Sequence, residues 1–193
     1  QYPINNYSVS LNIGHYTHFS DEVDGRTLDF YCLPGNLEKA RAQFSQAKTI
    51  ATLDQLSGGR VIIGTGVGWN REEFANVSSQ PWHKRYGVLR ETVAAMRALW
   101  REDEAGYRGE YIDFDPVWLY PKPKQAGGPP IVFGAMGALG VKHAAQWADG
   151  WFPVDIAMPD IPAALAAFRQ DVRDNGRDPD TVPVTLQAMA TPD

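Results

Sequence analysis

Two short apolar runs, residues 61–63 and Ile131–Phe133, pass directly into glycine-rich turns, Gly64-Thr65-Gly66-Val67-Gly68-Trp69 and Gly134-Ala135-Met136-Gly137. Runs this short, β-branched or aromatic and uninterrupted by polar residues, suit strands covered on both faces. Helical patterns come between and after them. Tyr86, Leu89, Val93, Met96 and Trp100 trace one stripe, and a further helix is expected from about Ala138 to Ala148. Strands that alternate with helices require right-handed crossovers and a parallel sheet, either open and doubly wound or closed as a barrel.

The rest of the chain supports that repeat. Residues 7–13 alternate polar and apolar side chains up to Gly14, which predicts a strand, residues 21–26 read as a loop, and residues 27–33 form a short β-like run stopped by Pro34 and Gly35. Asn36 can cap a helix along which Leu37, Ala40, Phe44, Ala47, Ala51 and Leu56 recur until Gly58 and Gly59 end it. Residues 151–154 predict another strand. Asp160 then caps a helix with Pro162 in its first turn, Gly176 ends it, and residues 182–186 supply a last strand. This reading gives about six strands and four helices in one domain, residues 1–193. Residues 106–125 are aromatic, rich in proline and too long for an ordinary connection, so they are expected to leave the core as an excursion, with extended structure near Tyr111, Ile112 and Phe114.

A content of 44% hydrophobic and 21% charged residues is that of a globular chain. The formal net charge of −5 argues against nucleic acid or anionic lipid as a partner, because both need clustered Lys and Arg, and favours a small molecule. No apolar run reaches the roughly 18 residues of a membrane span, and no basic stretch precedes an apolar one at the start, so a cytoplasmic location is expected. Cys32 is the single cysteine and reads as a small hydrophobe between Tyr31 and Leu33. His15, His18, His83 and His143 lack the spacing that places two ligands on one helical face, so no metal site is expected.

Both glycine turns sit just past strand ends, where helix N-termini and free amides converge. Gly134, Ala135, Met136, Gly137 and Ala138 read either as a tight turn or as a phosphate loop at the start of a helix. Residues 64–68 are not a dinucleotide fingerprint, because Trp69 occupies the place of the third glycine. They read as a bulge or as a surface against which a flat ring lies close to the backbone.

Residues 50–74 (IATLDQLSGGRVIIGTGVGWNREEF) closely resemble a segment of luciferase-like proteins, particularly those that use the deazaflavin coenzyme F420. Residues 85–118 (RYGVLRETVAAMRALWREDEAGYRGEYIDFDPVW) resemble that family's next helix and its excursion, and residues 129–154 (PPIVFGAMGALGVKHAAQWADGWFPV) its phosphate loop. The resemblance implies a TIM (β/α)8-type barrel of the luciferase-like kind. It further implies that a tricyclic ring lies across the strand ends, bordered by Gly64, Thr65, Gly66 and Val67, with its phosphate at Gly134, Ala135, Met136, Gly137 and Ala138. A bulky residue at Gly137 is then expected to obstruct the phosphate. In bacterial luciferase the loop matching Gly66 and Val67 carries a cysteine and an arginine. This sequence supplies neither, as in the deazaflavin relatives.

His15 and His18 follow the first predicted strand and are candidates for acid–base contacts, or else rings that cover the barrel mouth. A full barrel takes about 250 residues, so 193 residues and six strands imply an incomplete one: a natural truncation, a fragment, or a longer polypeptide with segments left out. The function implied is hydride exchange between coenzyme F420 and a small organic substrate. One alternative is a monooxygenase using reduced FMN delivered by a flavin reductase, and another is a truncated, non-catalytic flavin-binding protein. Association into a homo-oligomer is expected from unpaired sheet edges.

Overall fold

The repeat of strands and helices is realised in the computed structural model, which describes residues 18–23, 26–31, 41–78 and 80–189. The expected strand at 7–13, the Asn36 cap, Cys32 and His15 lie outside the described residues. In chain order the elements are β1 (His18–Val23), β2 (Arg26–Tyr31), α1 (Arg41–Ser57), β3 (Ile62–Thr65), α2 (Arg71–Val77), α3 (Arg85–Arg101), β4 (Ala105–Arg108), β5 (Asp113–Val117), β6 (Ile131–Phe133), α4 (Gly137–Trp147), β7 (Gly150–Trp151) and α5 (Ile161–Asp174). The described residues fall into two compact units. One takes those within 1–63 and 67–129, the other those within 64–66 and 130–193.

In the first unit, α1 packs on α3. Ala47, Ile50 and Ala51 are buried on one helix and Val93, Met96 and Trp100 on the other, and the Trp100 Nε1–H donates to the Ala47 carbonyl at 3.0 Å. Asp54 is fully buried near the end of α1. Its carboxylate accepts the Gln125 backbone N–H and side-chain Nε2–H at 2.8 Å each, and the same amide group donates to the Val61 carbonyl at 2.8 Å. One buried carboxyl group thus ties α1, the entry to β3 and the chain after the excursion together, with both of its oxygens hydrogen-bonded.

The excursion is an antiparallel hairpin of β4 and β5. Phe114 of β5 meets Phe44 of α1 edge to face at 4.9 Å, and Lys122 Nζ donates to the carbonyls of Leu99 and Glu102 at the C-terminal end of α3. Placing a cation on orphaned carbonyls there favours the helix dipole. Lys84 pairs with Glu110 at 2.8 Å in an exposed setting. The shared hydrogen bond holds the Glu110 carboxyl below its usual 4.5 and raises the Lys84 ammonium above its usual 10.5. A depressed acid stabilises above its unfolded value and loses that contribution as pH falls through its folded one, and a raised base does the reverse. The pair's contribution is therefore expected to be level between pH 4.5 and 10.5 and to fade outside that window. Melting curves of the parent and a Lys84→Met variant should run parallel within the window and converge in acid, and the small gap should shrink in salt.

Two sequence expectations are corrected in this part of the chain or at its end, and one helix is added that the sequence reading did not include. Residues 21–26 were expected to form a loop, but β1 runs to Val23, β2 starts at Arg26, and the two strands pair antiparallel from His18↔Tyr31 to Val23↔Arg26. The Asp24–Gly25 dipeptide between them in sequence is the hairpin signal, and backbone pairing does not require apolar side chains. The polar stretch after Trp69 contains the helix α2, with the Asn70 side chain accepting the Glu73 N–H at 3.0 Å. That Asn-x-x-Glu spacing is helix-capping chemistry. The strands expected at 151–154 and 182–186 are shorter: β7 ends at Trp151, and beyond it only the parallel bridges Trp151↔Val184 and Val154↔Gln187 form. Pro153 and Pro183 have no N–H to give to a ladder.

In the second unit, β6 and β7 pair parallel through Val132↔Gly150 and Phe133↔Trp151, while α4 packs on α5. Asp149 fixes the register, donating its N–H to the Ile131 carbonyl and accepting the Ile131 N–H on its carboxylate, both at 2.8 Å. Asp160 caps α5 through the Ala163 N–H at 2.9 Å. Arg177 donates to the Ala145 and Ala148 carbonyls at the C-terminal end of α4. Phe168 and Val172 of α5 are fully buried.

Candidate functional site

The ends of β3 and β6 lie side by side in the second unit. The Gly134 N–H donates to the Thr65 carbonyl at 2.8 Å, and the Phe152 N–H to the Phe133 carbonyl at 3.0 Å. A Cβ on Gly134 would stand 3.5 Å from the Thr65 carbonyl oxygen and 3.8 Å from that of Phe152, and one on Gly66 would stand 3.6 Å from the Gly134 carbonyl oxygen. Gly64, Thr65 and Gly66 are thereby brought together with the 134–138 loop at the carboxyl ends of adjacent strands, where ligands bind in α/β folds.

The loop then becomes the start of a helix. Ala135 is buried, and its carbonyl is held by the Trp151 Nε1–H at 3.0 Å. Met136 is the N-cap residue in extended conformation, and no side chain caps the helix. The first-turn amides of α4 therefore keep their positive ends for an anion. Gly137, Ala138 and Leu139 are exposed. Gly137 adopts φ +77°, and a Cβ there would meet open space. Its glycine is required by the left-handed backbone and not by crowding, so strain accompanies any Gly137→Val substitution whether or not a phosphate binds.

One buried polar atom has no partner at this strand end. Thr65 is 5% exposed, and its Oγ1 has no hydrogen-bond partner. An uncapped helix start, backbone free of side chains at Gly66 and Gly134, and an unsatisfied hydroxyl together fit a flat cofactor that carries a phosphate. The residues at 64–66 and 134–138 include no ionisable side chain. They can bind and orient, while acid–base chemistry has to come from elsewhere.

Val67, Gly68 and Trp69 belong to the first unit, where Gly68 has φ +75° and Trp69 is exposed. His18 is placed as the first residue of β1, in register with Tyr31. A groove of about 510 Å³ in the first unit is lined by Arg71, Phe74, Ser78, Gln80, Trp82 and His83 among others, and includes none of the residues expected to hold the cofactor. Trp151 and Phe168 were not singled out from sequence, although they set the position of Ala135. An aromatic residue at the end of a predicted strand was the available signal.

A family model described as luciferase-like monooxygenase matches residues 40–193. The chain belongs to the luciferase-like monooxygenase family. Its α/β fold is of that family's TIM-barrel kind, with few of the strands among the described residues. An uncharacterized protein of Mycobacterium tuberculosis is 43% identical over 149 residues, which cover 76% of this chain and 51% of the relative. An FMNH2-dependent dimethylsulfone monooxygenase of Pseudomonas putida is 30% identical over 147 residues, 75% of this chain and 39% of that one. Among solved structures, an F420-dependent secondary alcohol dehydrogenase in complex with an F420-acetone adduct superposes with a TM-score of 0.63 at 27% identity, covering 77% of this chain and 45% of the other. The chain thus spans about half the length, or less, of these luciferase-like relatives. Both deazaflavin and flavin users occur among them. No helix among the described residues is long and apolar enough to cross a membrane.

Proposed function

We propose that this chain binds coenzyme F420 as an oxidoreductase that exchanges hydride between the deazaflavin and a small organic substrate. The observation that carries the reading is the pairing of Gly134 with Thr65 at the strand ends, directly before the uncapped start of α4. In this arrangement the amides of Gly137 and Ala138 would hold a phosphate, and Gly64 and Gly66 would leave room for the ring. When bound, the deazaflavin supplies hydride transfer. The protein supplies orientation and exclusion of water. The absence of a thiol and a cation at Gly66 and Val67 supports the deazaflavin. The identity with the Pseudomonas monooxygenase supports a second reading, in which reduced FMN is received from a separate reductase.

Fluorescence titration with F420 and with FMN separates the two, and tighter binding of F420 is expected. An Ala138→Asp variant tests the loop itself. A carboxylate in the first turn of α4 favours the helix dipole but repels a phosphate, so the ligand-free protein should melt no lower while cofactor affinity falls about tenfold. Unchanged affinity in this variant would remove the phosphate from the 134–138 loop. Tight FMN binding without F420 affinity would shift the assignment to the monooxygenase. Binding of either cofactor without turnover across a broad substrate panel would make this a non-catalytic flavin-binding protein.

A further inference from the structure

We infer that the Thr65 hydroxyl is a hydrogen-bond donor to a phosphate oxygen of the ligand, which makes Thr65 a positioning residue that stays unsatisfied until the ligand is bound. The inference rests on the phosphate-loop reading above. Thr65 is 5% exposed, and its Oγ1 is without a hydrogen-bond partner. A buried hydroxyl in that state is destabilising, whereas valine fills the same volume at no such cost. Strand packing alone therefore favours valine at this position.

Location supplies the missing reason. The Thr65 carbonyl accepts the N–H of Gly134, the first residue of the loop, and Oγ1 lies only two bonds from the Cα of the same residue. Gly64 and Gly66 on either side have no side chains to engage it. The amides at the start of α4 are donors and cannot take the hydroxyl proton. An anionic oxygen held by those amides can accept it and completes the donor set with one O–H group.

The test compares the parent with Thr65→Val and Thr65→Ser. Each ring is offered with and without its phosphate: FMN against riboflavin, and F420 against its phosphate-free deazaflavin core. In Thr65→Val, affinity for the phosphate-bearing form is expected to fall about tenfold or more, with the phosphate-free form held within about twofold. Thr65→Ser should stay within about threefold of the parent for both. Ligand-free Thr65→Val should melt at or above the parent temperature, because an unsatisfied group has been removed. A lower melting temperature of ligand-free Thr65→Val would show an internal partner for the hydroxyl and overturn the inference. So would an unchanged preference for the phosphate-bearing form, and in that case a loss of affinity in Ala138→Asp would leave the phosphate loop standing. A parent with no preference for phosphate would overturn the loop and the inference together.

Discussion

Replacing Glu91 with alanine is expected to destabilise the first unit by about 3–5 kcal/mol, the scale of losing a buried network of charge-assisted hydrogen bonds. Glu91 lies within α3 and is 7% exposed. Its carboxylate accepts the backbone N–H groups of Glu110, Tyr111 and Ile112 at 3.0, 2.7 and 3.1 Å. These are successive amides of the turn between β4 and β5, so a single side chain caps the hairpin much as a side chain caps a helix start. The chain passes so closely that a Cβ on Gly109 would come within 2.3 Å of Glu91 Oε2. Alanine removes the acceptor and leaves the buried Ile112 amide unpaired. Glutamine keeps one oxygen, which can serve Tyr111 and Ile112, but turns an NH2 group towards Glu110. Its cost should be smaller, about 1–2 kcal/mol. Urea unfolding measures both, and hydrogen exchange at Tyr111 and Ile112 should accelerate first in Glu91→Ala. An unchanged urea midpoint with unchanged exchange would show that the turn holds without Glu91.

In the second unit the largest effect is expected at Phe168, where alanine should cost about 3–5 kcal/mol through lost burial and the cavity left behind. Phe168 is fully buried in α5 and stacks against Trp151 at 4.6 Å with a 34° tilt. Trp151 in turn holds the Ala135 carbonyl. The cavity therefore opens behind the ring that positions the 134–138 loop, and cofactor affinity should fall along with stability. Phe168→Leu keeps much of the volume and should cost less on both counts. If Phe168→Ala lowered the urea midpoint but left the affinity of the folded protein unchanged, the loop would be positioned independently of Trp151.

Much of the helical structure was readable in the sequence because helix signals are local. Asp160 with Pro162 marked the start of α5, Gly176 its end at φ +71°, and the apolar stripe of α3 matches the buried Leu89, Val93, Met96 and Trp100. The strands were read less well at their ends. Whether a residue pairs depends on a neighbour distant in sequence, so β7 stops at Trp151 although 151–154 looks uniformly extended. The hairpin of β1 and β2 was obscured by acidic residues, since side-chain polarity reports on burial and not on backbone pairing.

The same division holds for the candidate site. Sequence alone determined that glycine turns follow apolar strands, and several motifs in family-like order carry the resemblance to luciferase-like proteins. Those properties depend on residue type and spacing along one segment. Only the tertiary structure decided that Gly134 bonds to Thr65, that Trp151 holds Ala135, that Gly137 is glycine for its backbone angle, and that one buried hydroxyl has no partner. Each of these joins residues separated along the chain or depends on a dihedral angle, and a linear pattern specifies neither. Sequence spacing shows which residues can reach one another, whereas packing settles which polar atoms are satisfied once they do.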